Sequence, residues 1–568
     1  MNLNDILEIE QLKYCYEQAY ALHRHTEIPD MFFRSEDTVF TIPSAGDRTA
    51  GWNVINEKFC SELYNVSPRE DSFHTGWQIC TPVMWEDDGE ICGIFPTFGF
   101  LVLSMDPDTM KPPYPVLSTL ELWQDHFAKQ KGMWKIHYLH AQFLLGQCVW
   151  KWNAPEDSGL AVQKKLQSIP HPILGRPKYE NAVMESNDPC KTSGYSEAAG
   201  AFRSAEGDDQ EVLSASTVET AHAVLTAPAV ETGHAVLTAP AVETGHAVLT
   251  APAVETVSPP AFCSAYYSIQ FLQGMYTLLW QCGRFEEIPG LLFSSGDNTS
   301  VLYDGINSDT IKDGKNPADT LSFFSKVKEL TDKNGGLLRI DMPADQWITI
   351  SPDGKTAEGH WITRTHKIER TEDGSKYNVC IGRFSNRFCM ENGSFRIQSV
   401  HWELLQEFAP YDVLPDMNLD AYIKCPADWI PRLPVPSSTP YEGASDKTSE
   451  IILLKNEIMS WFYSISYGVN TKNLFPCSSG KVCSDLSDIF RECRYALATS
   501  PVIHMNDDLN MADAFLSVSL ILNNGQDEVI YSRGSFSFLL RKDVSGWNII
   551  DGNWYPYASL EPWKVLNS

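Results

Sequence analysis

One phrase in this sequence is written twice. Tyr16 is followed, eleven positions on, by Glu27-Ile28-Pro29-Asp30-Met31-Phe32-Phe33; Tyr276, 260 residues later, is followed at the same spacing by Glu287-Ile288-Pro289-Gly290-Leu291-Leu292-Phe293. Each stretch leads to a second shared phrase, Trp134-Lys135-Ile136 with His140 four residues beyond Ile136, and Phe395-Arg396-Ile397 with His401 in the same place. A looser third copy reads Trp547-Asn548-Ile549 with Asn553. A chain of 568 residues is too long for one core, so the repeats predict three tandem globular modules, at 1–153, 262–435 and 449–568.

Within the first module, Ile6, Ile9, Leu12, Tyr16 and Tyr20 fall at helical spacing and predict an amphipathic helix. A short helix is expected at Ile28-Pro29, a strand over Thr38 to Ile42, a helix from about Asn53 to Leu63, and strands thereafter. The turn Glu86-Asp87-Asp88-Gly89 and the apolar run Gly99 to Leu103 mark the hairpins. Helices first and a meander afterwards make an α+β unit. The later modules carry their own hairpin signals, Ser351-Pro352-Asp353-Gly354 and Asn523-Asn524-Gly525, with Ser545-Gly546 before a last strand. Between them, residues 154–261 read as low-complexity linker. VETGHAVLTAPA recurs there with a twelve-residue period, without aromatic residues and with Pro228, Pro240 and Pro252 interrupting any helix. His222, His234 and His246 recur with the repeat and have no partner set for a metal.

The formal net charge of −29 argues against nucleic acid and anionic membrane as partners, since both need clustered Lys and Arg. A small neutral or apolar ligand fits better, and 11% aromatic residues can line a pocket for it. No apolar run near Met1 suits a signal peptide or a membrane span, so a soluble, cytoplasmic protein is expected. The cysteines stand singly, without metal-ligand spacing, and read as buried thiols.

The order of these features resembles the nuclear transport factor 2-like superfamily. The resemblance rests on a first helix with Tyr in its third turn, a short second helix ending in Phe-Phe or Leu-Phe, a helix near Gly51 to Ile55, and a last strand opening aromatic-polar-Ile. The likeness is to its SnoaL-like group, with scytalone dehydratase, bile acid dehydratase and ketosteroid isomerase relatives. It implies three tandem cones, each a curved, mostly antiparallel sheet wrapped on helices around a pocket.

Strand alternation places Trp134, Ile136, Tyr138 and His140 on one face, expected to point into the cone with His401 and Asn553 in the sister modules. By the resemblance, His74 takes the place of a dehydratase base, and Tyr16 and Tyr276 that of a phenol donating to a substrate oxygen. The second module has no histidine over Leu338 to Ala344 to match His74. The family's helix-end aspartate would fall at Ala21 or Leu22 and at Gln281 or Cys282, so the usual isomerase base is missing. Asp125 and His126 read as surface residues. The resulting expectation is a cofactor-independent, metal-free lyase or isomerase acting on a small hydrophobic cyclic, polyketide- or steroid-like molecule. His74, His140 and Tyr16 would be catalytic, and Tyr20, Trp134, Tyr138, Tyr276 and His401 would contact the ligand. The alternative is a non-catalytic hydrophobic-ligand or scaffold protein. Val400, Trp402, Ile550 and Trp554 are expected on the outer faces, pairing modules two and three and leaving module one to form a homodimer through its sheet.

Overall fold

The computed structural model describes residues 1–42, 47–60, 73–87, 89–102, 114–152, 166–174, 257–303, 314–333, 339–371, 374–409, 441–468, 474–525, 528–559 and 563–566. Contacts divide the chain into a body of residues 1–186 and 257–568 and a second unit at 187–256. All elements that follow belong to the first; the twelve-residue repeats lie outside the described residues.

Module one opens with α1 (Leu3–Ala21), whose N-cap Asn2 accepts a hydrogen bond from the Asn4 amide at 2.9 Å. A 3-10 helix (His25–Met31), β1 (Val39–Ile42), β2 (Asp47–Ala50) and α2 (Trp52–Cys60) follow. The meander is β3 (Phe73–Ile79), β4 (Val83–Asp87), β5 (Glu90–Val102), β6 (Tyr114–Gln130) and β7 (Met133–Trp152). The sheet order is β2-β1-β7-β6-β5, with β3 and β4 both on β5 and β1 parallel to β7. Module two repeats the plan with α3 (Pro259–Gln281), α4 (Glu287–Leu292), β8 (Ser300–Tyr303), α5 (Pro317–Lys333), β9 (Arg339–Ile350), β10 (Thr356–Thr371), β11 (Gly374–Glu391) and β12 (Ser394–Ala409). Module three has α6 (Asp446–Ser466), α7 (Gly480–Ile489), β13 (Cys493–Met505), β14 (Met511–Asn523), β15 (Glu528–Asp543) and β16 (Gly546–Ser559). A last strand, β17 (Trp563–Leu566), pairs with both β12 and β15 and joins the sheets of modules two and three. Each module is an α+β unit, its first helix packed on its own meander.

The last hairpin of every module carries two bulges at matching places. One falls between His126 and Phe127, Arg387 and Phe388, and Leu539 and Leu540; the other between Leu120 and Glu121, Ile381 and Gly382, and Arg533 and Gly534. A bulge inserts one residue and reverses the alternation beyond it. Ile136 therefore lies opposite Phe127, but past the bulge Leu139 and Ala141 lie opposite Asp125 and Trp123. Tyr138 and His140 share the other face with His126 and Gln124. The expected inward set breaks in its middle. In module two the same shift turns Val400 and Trp402 into the core and His401 away from it. In module three Trp554 packs on Phe536, ring centroids 4.7 Å apart, and Asn553 is exposed.

The three modules close into a ring. α1 packs on its own β3 and on β13 of module three; α6 packs on β13 and on β9 of module two; α3 packs on β9 and on β4 of module one. This head-to-tail cycle is a pseudo-threefold arrangement within one chain. Equivalent helix positions meet at its centre: Lys455 Nζ donates to Glu10 Oε2 at 2.6 Å and Gln270 Nε2 to Glu10 Oε1 at 3.1 Å. Module one thus has both sisters as partners, and the premise of the homodimer expectation does not hold. α1 is correspondingly buried on two faces, with Glu10, Lys13, Glu17 and Gln18 all inside. The segment 166–174, in the expected linker, is also packed: Leu166 and Ile169 are buried, and Arg24 Nη2 donates to the Ile169 carbonyl at 2.6 Å.

Candidate functional site

The hollow of module one is filled by rings from α1, β1, α2, β3 and β6 and by Phe32. Tyr16 and Tyr20 of α1 lie 5.2 Å apart, Tyr16 is 5.6 Å from Trp123, Tyr20 is 4.9 Å from Trp77, and Trp77 is 4.9 Å from Trp123. Phe32, Phe40 and Phe59 complete the cluster. Gly99 is small because a Cβ there would strike the Trp77 indole across the strand pair.

Three buried ionisable groups sit among these rings. Glu121, on β6, accepts from Trp77 Nε1 at 2.8 Å and from Trp123 Nε1 at 2.7 Å, one indole on each carboxylate oxygen. Burial raises its pKa to about 7, against the opposing pull of Thr119, the two indoles and Lys13. Lys13 Nζ lies 2.5 Å from Asp125 Oδ2 and 4.2 Å above the Trp123 ring. Burial lowers the Lys13 ammonium and raises the Asp125 carboxyl, while their mutual attraction opposes both shifts. Asp125 is therefore an interior group, not the surface residue its sequence context suggested.

Comparison of equivalent positions shows what is particular to this hollow. The Lys13–Asp125 pair becomes Gln273 and Asn386 in module two, where Asn386 Nδ2 donates to Gln273 Oε1 at 2.7 Å, and Ile458 and Phe538 in module three. Glu121 is matched by Gly382 and Gly534. In those modules the space over the glycine belongs to Trp402 and Trp554; in module one the matching residue is Ala141, and the carboxylate takes the room. Module three is filled instead by stacked phenylalanines, Phe490, Phe536 and Phe538 among them. Module two holds an Arg339–Asp341 pair at 2.8 Å, with Arg339 lying 3.8 Å over Trp402.

The sequence-derived residues divide between these settings. Tyr16 and Tyr20 are in the hollow. His74 lies on β3 opposite Leu101, with its side chain outside the described residues. His140 is buried on the opposite face of β7, 6.3 Å from Tyr138, and burial lowers its pKa to about 4. Trp134 stands at the start of β7 and donates to Asp5 at 2.9 Å. Tyr276 OH donates to Tyr303 OH at 3.0 Å in the second core, and the His401 amide donates to Asn386 Oδ1 at 3.2 Å. His74, His140 and Tyr16 are thus not brought together as described groups. Of the residues that reading by parity missed, Lys13, Glu121 and Asp125, the two on β6 could have been found by aligning the last hairpins: at 261- and 413-residue offsets, Glu121 meets glycine twice. Among the described residues, no group of three His, Cys, Asp or Glu could hold a metal ion, and no helix is long and apolar enough to cross a membrane.

No family model matches the chain, and no curated protein matches it. Solved structures similar to part of it include the Kfla4162 protein from Kribbella flavida, 14% identical, covering 25% of this chain and 93% of its own, with a TM-score of 0.22. An NTF2-like protein with a cystatin-like fold from Novosphingobium aromaticivorans is 12% identical over 29% of this chain and 91% of its own, TM-score 0.19. Hexachlorocyclohexane dehydrochlorinase LinA-type3 from Novosphingobium barchaimii is 12% identical over 28% and 94%, TM-score 0.22. Likenesses of this size say nothing about function, and the fold rests on the topology above.

Proposed function

We propose that module one is a cofactor-independent proton-transfer centre, a lyase or isomerase for a small hydrophobic cyclic molecule, and that modules two and three support it. The observation that carries this reading is the ionisable set Lys13, Glu121 and Asp125 in one hollow, at positions where the sister modules hold amides and glycine, or hydrocarbon and glycine. Buried charge is a poor way to stabilise a fold, and module three makes the same fold without it at these positions. A carboxyl poised near pH 7 in an apolar enclosure is suited to general-base work.

In this reading a substrate displaces the Trp77 and Trp123 indoles from the Glu121 oxygens, Glu121 removes a proton alpha to its carbonyl, and the Tyr16 phenol donates to the carbonyl oxygen as enolate charge develops. His74, whose strand also carries Trp77, gives a proton to the leaving hydroxyl. The C–H and C–O bonds break, a C=C bond forms, and water departs. Lys13 and Asp125 set the field at Glu121. His140, on the other face, has no direct part.

The test is alpha-proton exchange of a hydroxylated cyclic ketone in deuterated water by the full chain, followed by NMR, together with formation of its conjugated dehydration product. Glu121→Gln should lower both rates at least a hundredfold, while Tyr276→Phe leaves them unchanged. Undiminished exchange in a folded Glu121→Gln chain refutes the base. Saturable binding of the ketone with no exchange in the unaltered chain favours the non-catalytic reading.

A further inference from the structure

Modules one and three close the gap between first helix and last hairpin with the same clasp. In module one Asp5 Oδ1 accepts from Trp134 Nε1 at 2.9 Å and from Lys129 Nζ at 2.7 Å. In module three Glu450 Oε1 accepts from Trp547 Nε1 at 2.8 Å and from Lys542 Nζ at 2.6 Å. The matching residues of module two are Ala265, Phe395 and Met390, so the acid, the indole N–H and the ammonium are all absent. Where the clasp would sit there is a cavity of about 210 Å³, lined among others by Ala265, Phe271, Leu272, Met390, Phe395 and Tyr441. Among the described residues no charged side chain lines it, in a chain of which 21% is charged. Met390, 39% exposed, stands at its edge.

We infer that this cavity binds a small neutral aromatic molecule, a single ring carrying a hydroxyl. The volume is sufficient, since a cavity of about 150 Å³ lined by hydrocarbon accepts benzene. The lining selects against an ion, which would lose its hydration and meet no counter-charge. A thioether at the edge adapts to an aromatic face. Ser268 Oγ donates to the Ser264 carbonyl at 2.8 Å and keeps its lone pairs for an incoming hydroxyl. The site lies between α3 and the β11–β12 hairpin and is independent of the hollow of module one.

The experiment uses the full chain and ligand-observed saturation-transfer NMR with p-cresol, and with benzoate and benzylammonium as charged counterparts. The expected result is saturable p-cresol binding with a dissociation constant on the order of 1 mM or tighter, and at least tenfold weaker binding of both ions. Ala265→Asp with Met390→Lys rebuilds the ion pair that both sister modules tolerate, and should weaken p-cresol binding at least tenfold without lowering the melting temperature. If that chain fails to fold, Ala265→Leu fills the cavity by another route and should give the same loss. Equal binding of the three probes, absence of p-cresol binding, or unchanged binding in a folded filled variant overturns the inference.

Discussion

Replacing Glu121 by Gln should change how stability depends on pH more than it changes stability itself. The unfolded chain titrates this carboxyl near its ordinary 4.5 and the folded chain near 7. The folded state therefore binds the proton more tightly, and stability present below 4.5 is lost as pH rises through about 7. The separation corresponds to a cost of about 3 kcal/mol, complete at alkaline pH. Gln offers a single acceptor oxygen to the two indole donors and turns its amide N–H group toward the other, so at pH 4.5 the variant should be less stable by about 1–3 kcal/mol. Between pH 4.5 and pH 9 the difference between the chains should shift by about 3 kcal/mol in favour of the variant. Urea unfolding at both values measures this, and the difference between chains cancels contributions such as that of Glu17, which burial also raises to about 7. Parallel pH profiles for the two proteins would refute the assignment of a buried, ionising carboxyl at Glu121.

Three further outcomes follow from the packing. Lys13→Gln or Asp125→Asn alone should destabilise by about 3–5 kcal/mol, whereas the double variant, which installs the amide pair of module two, should recover most of that loss in a thermodynamic cycle. Gly382→Ala drives a methyl into the Trp402 indole and should cost about 1–3 kcal/mol by denaturant unfolding, with Gly296→Ala, where a Cβ meets nothing, as the control for the general loss of a glycine. His171 accepts at Nδ1 from the amides of Ile173 and Leu174 and donates from Nε2 to Gln18, an arrangement only the neutral ring can make. Burial and the nearby Arg24 hold its pKa well below 6.5, so the contact is stable above that value and weakens as pH falls below it. Hydrogen exchange should then show residues 166–174 losing protection on acidification well before α1 does; simultaneous loss would count against this latch.

The helices and hairpin turns were readable from residue spacing because helix caps, turns and hairpins are local. Asn523-Asn524-Gly525 and Ser351 to Gly354 turn where their residue types demand it. The direction of His140, His401 and Asn553 was not readable, because alternation is a count and one inserted residue reverses it. Nothing in Trp134-Lys135-Ile136-His137 marks the bulge that does so. The second face of α1 escaped for a different reason: Glu10, Glu17 and Gln18 look like solvated residues until Lys455, Ser517 and the Ser500 carbonyl, more than 440 positions away, are placed against them. Asp125 misled in the same way, its partner Lys13 being a helix residue with no sequence link to β6.

Three identical subunits closing such a ring would have to place the same side chain at the centre three times, and a triplicate of Glu10 would gather three carboxylates where no water reaches. Joining the copies in one chain removes that constraint. The central position has become an acid, an amide and a base, the amide and the base both donating to the acid. Such a centre cannot be reassembled from copies of any single module. Each hollow is free to differ: one holds Lys13, Glu121 and Asp125, one holds amides at the matching pair beside an Arg339–Asp341 pair of its own, and one is packed with phenylalanine.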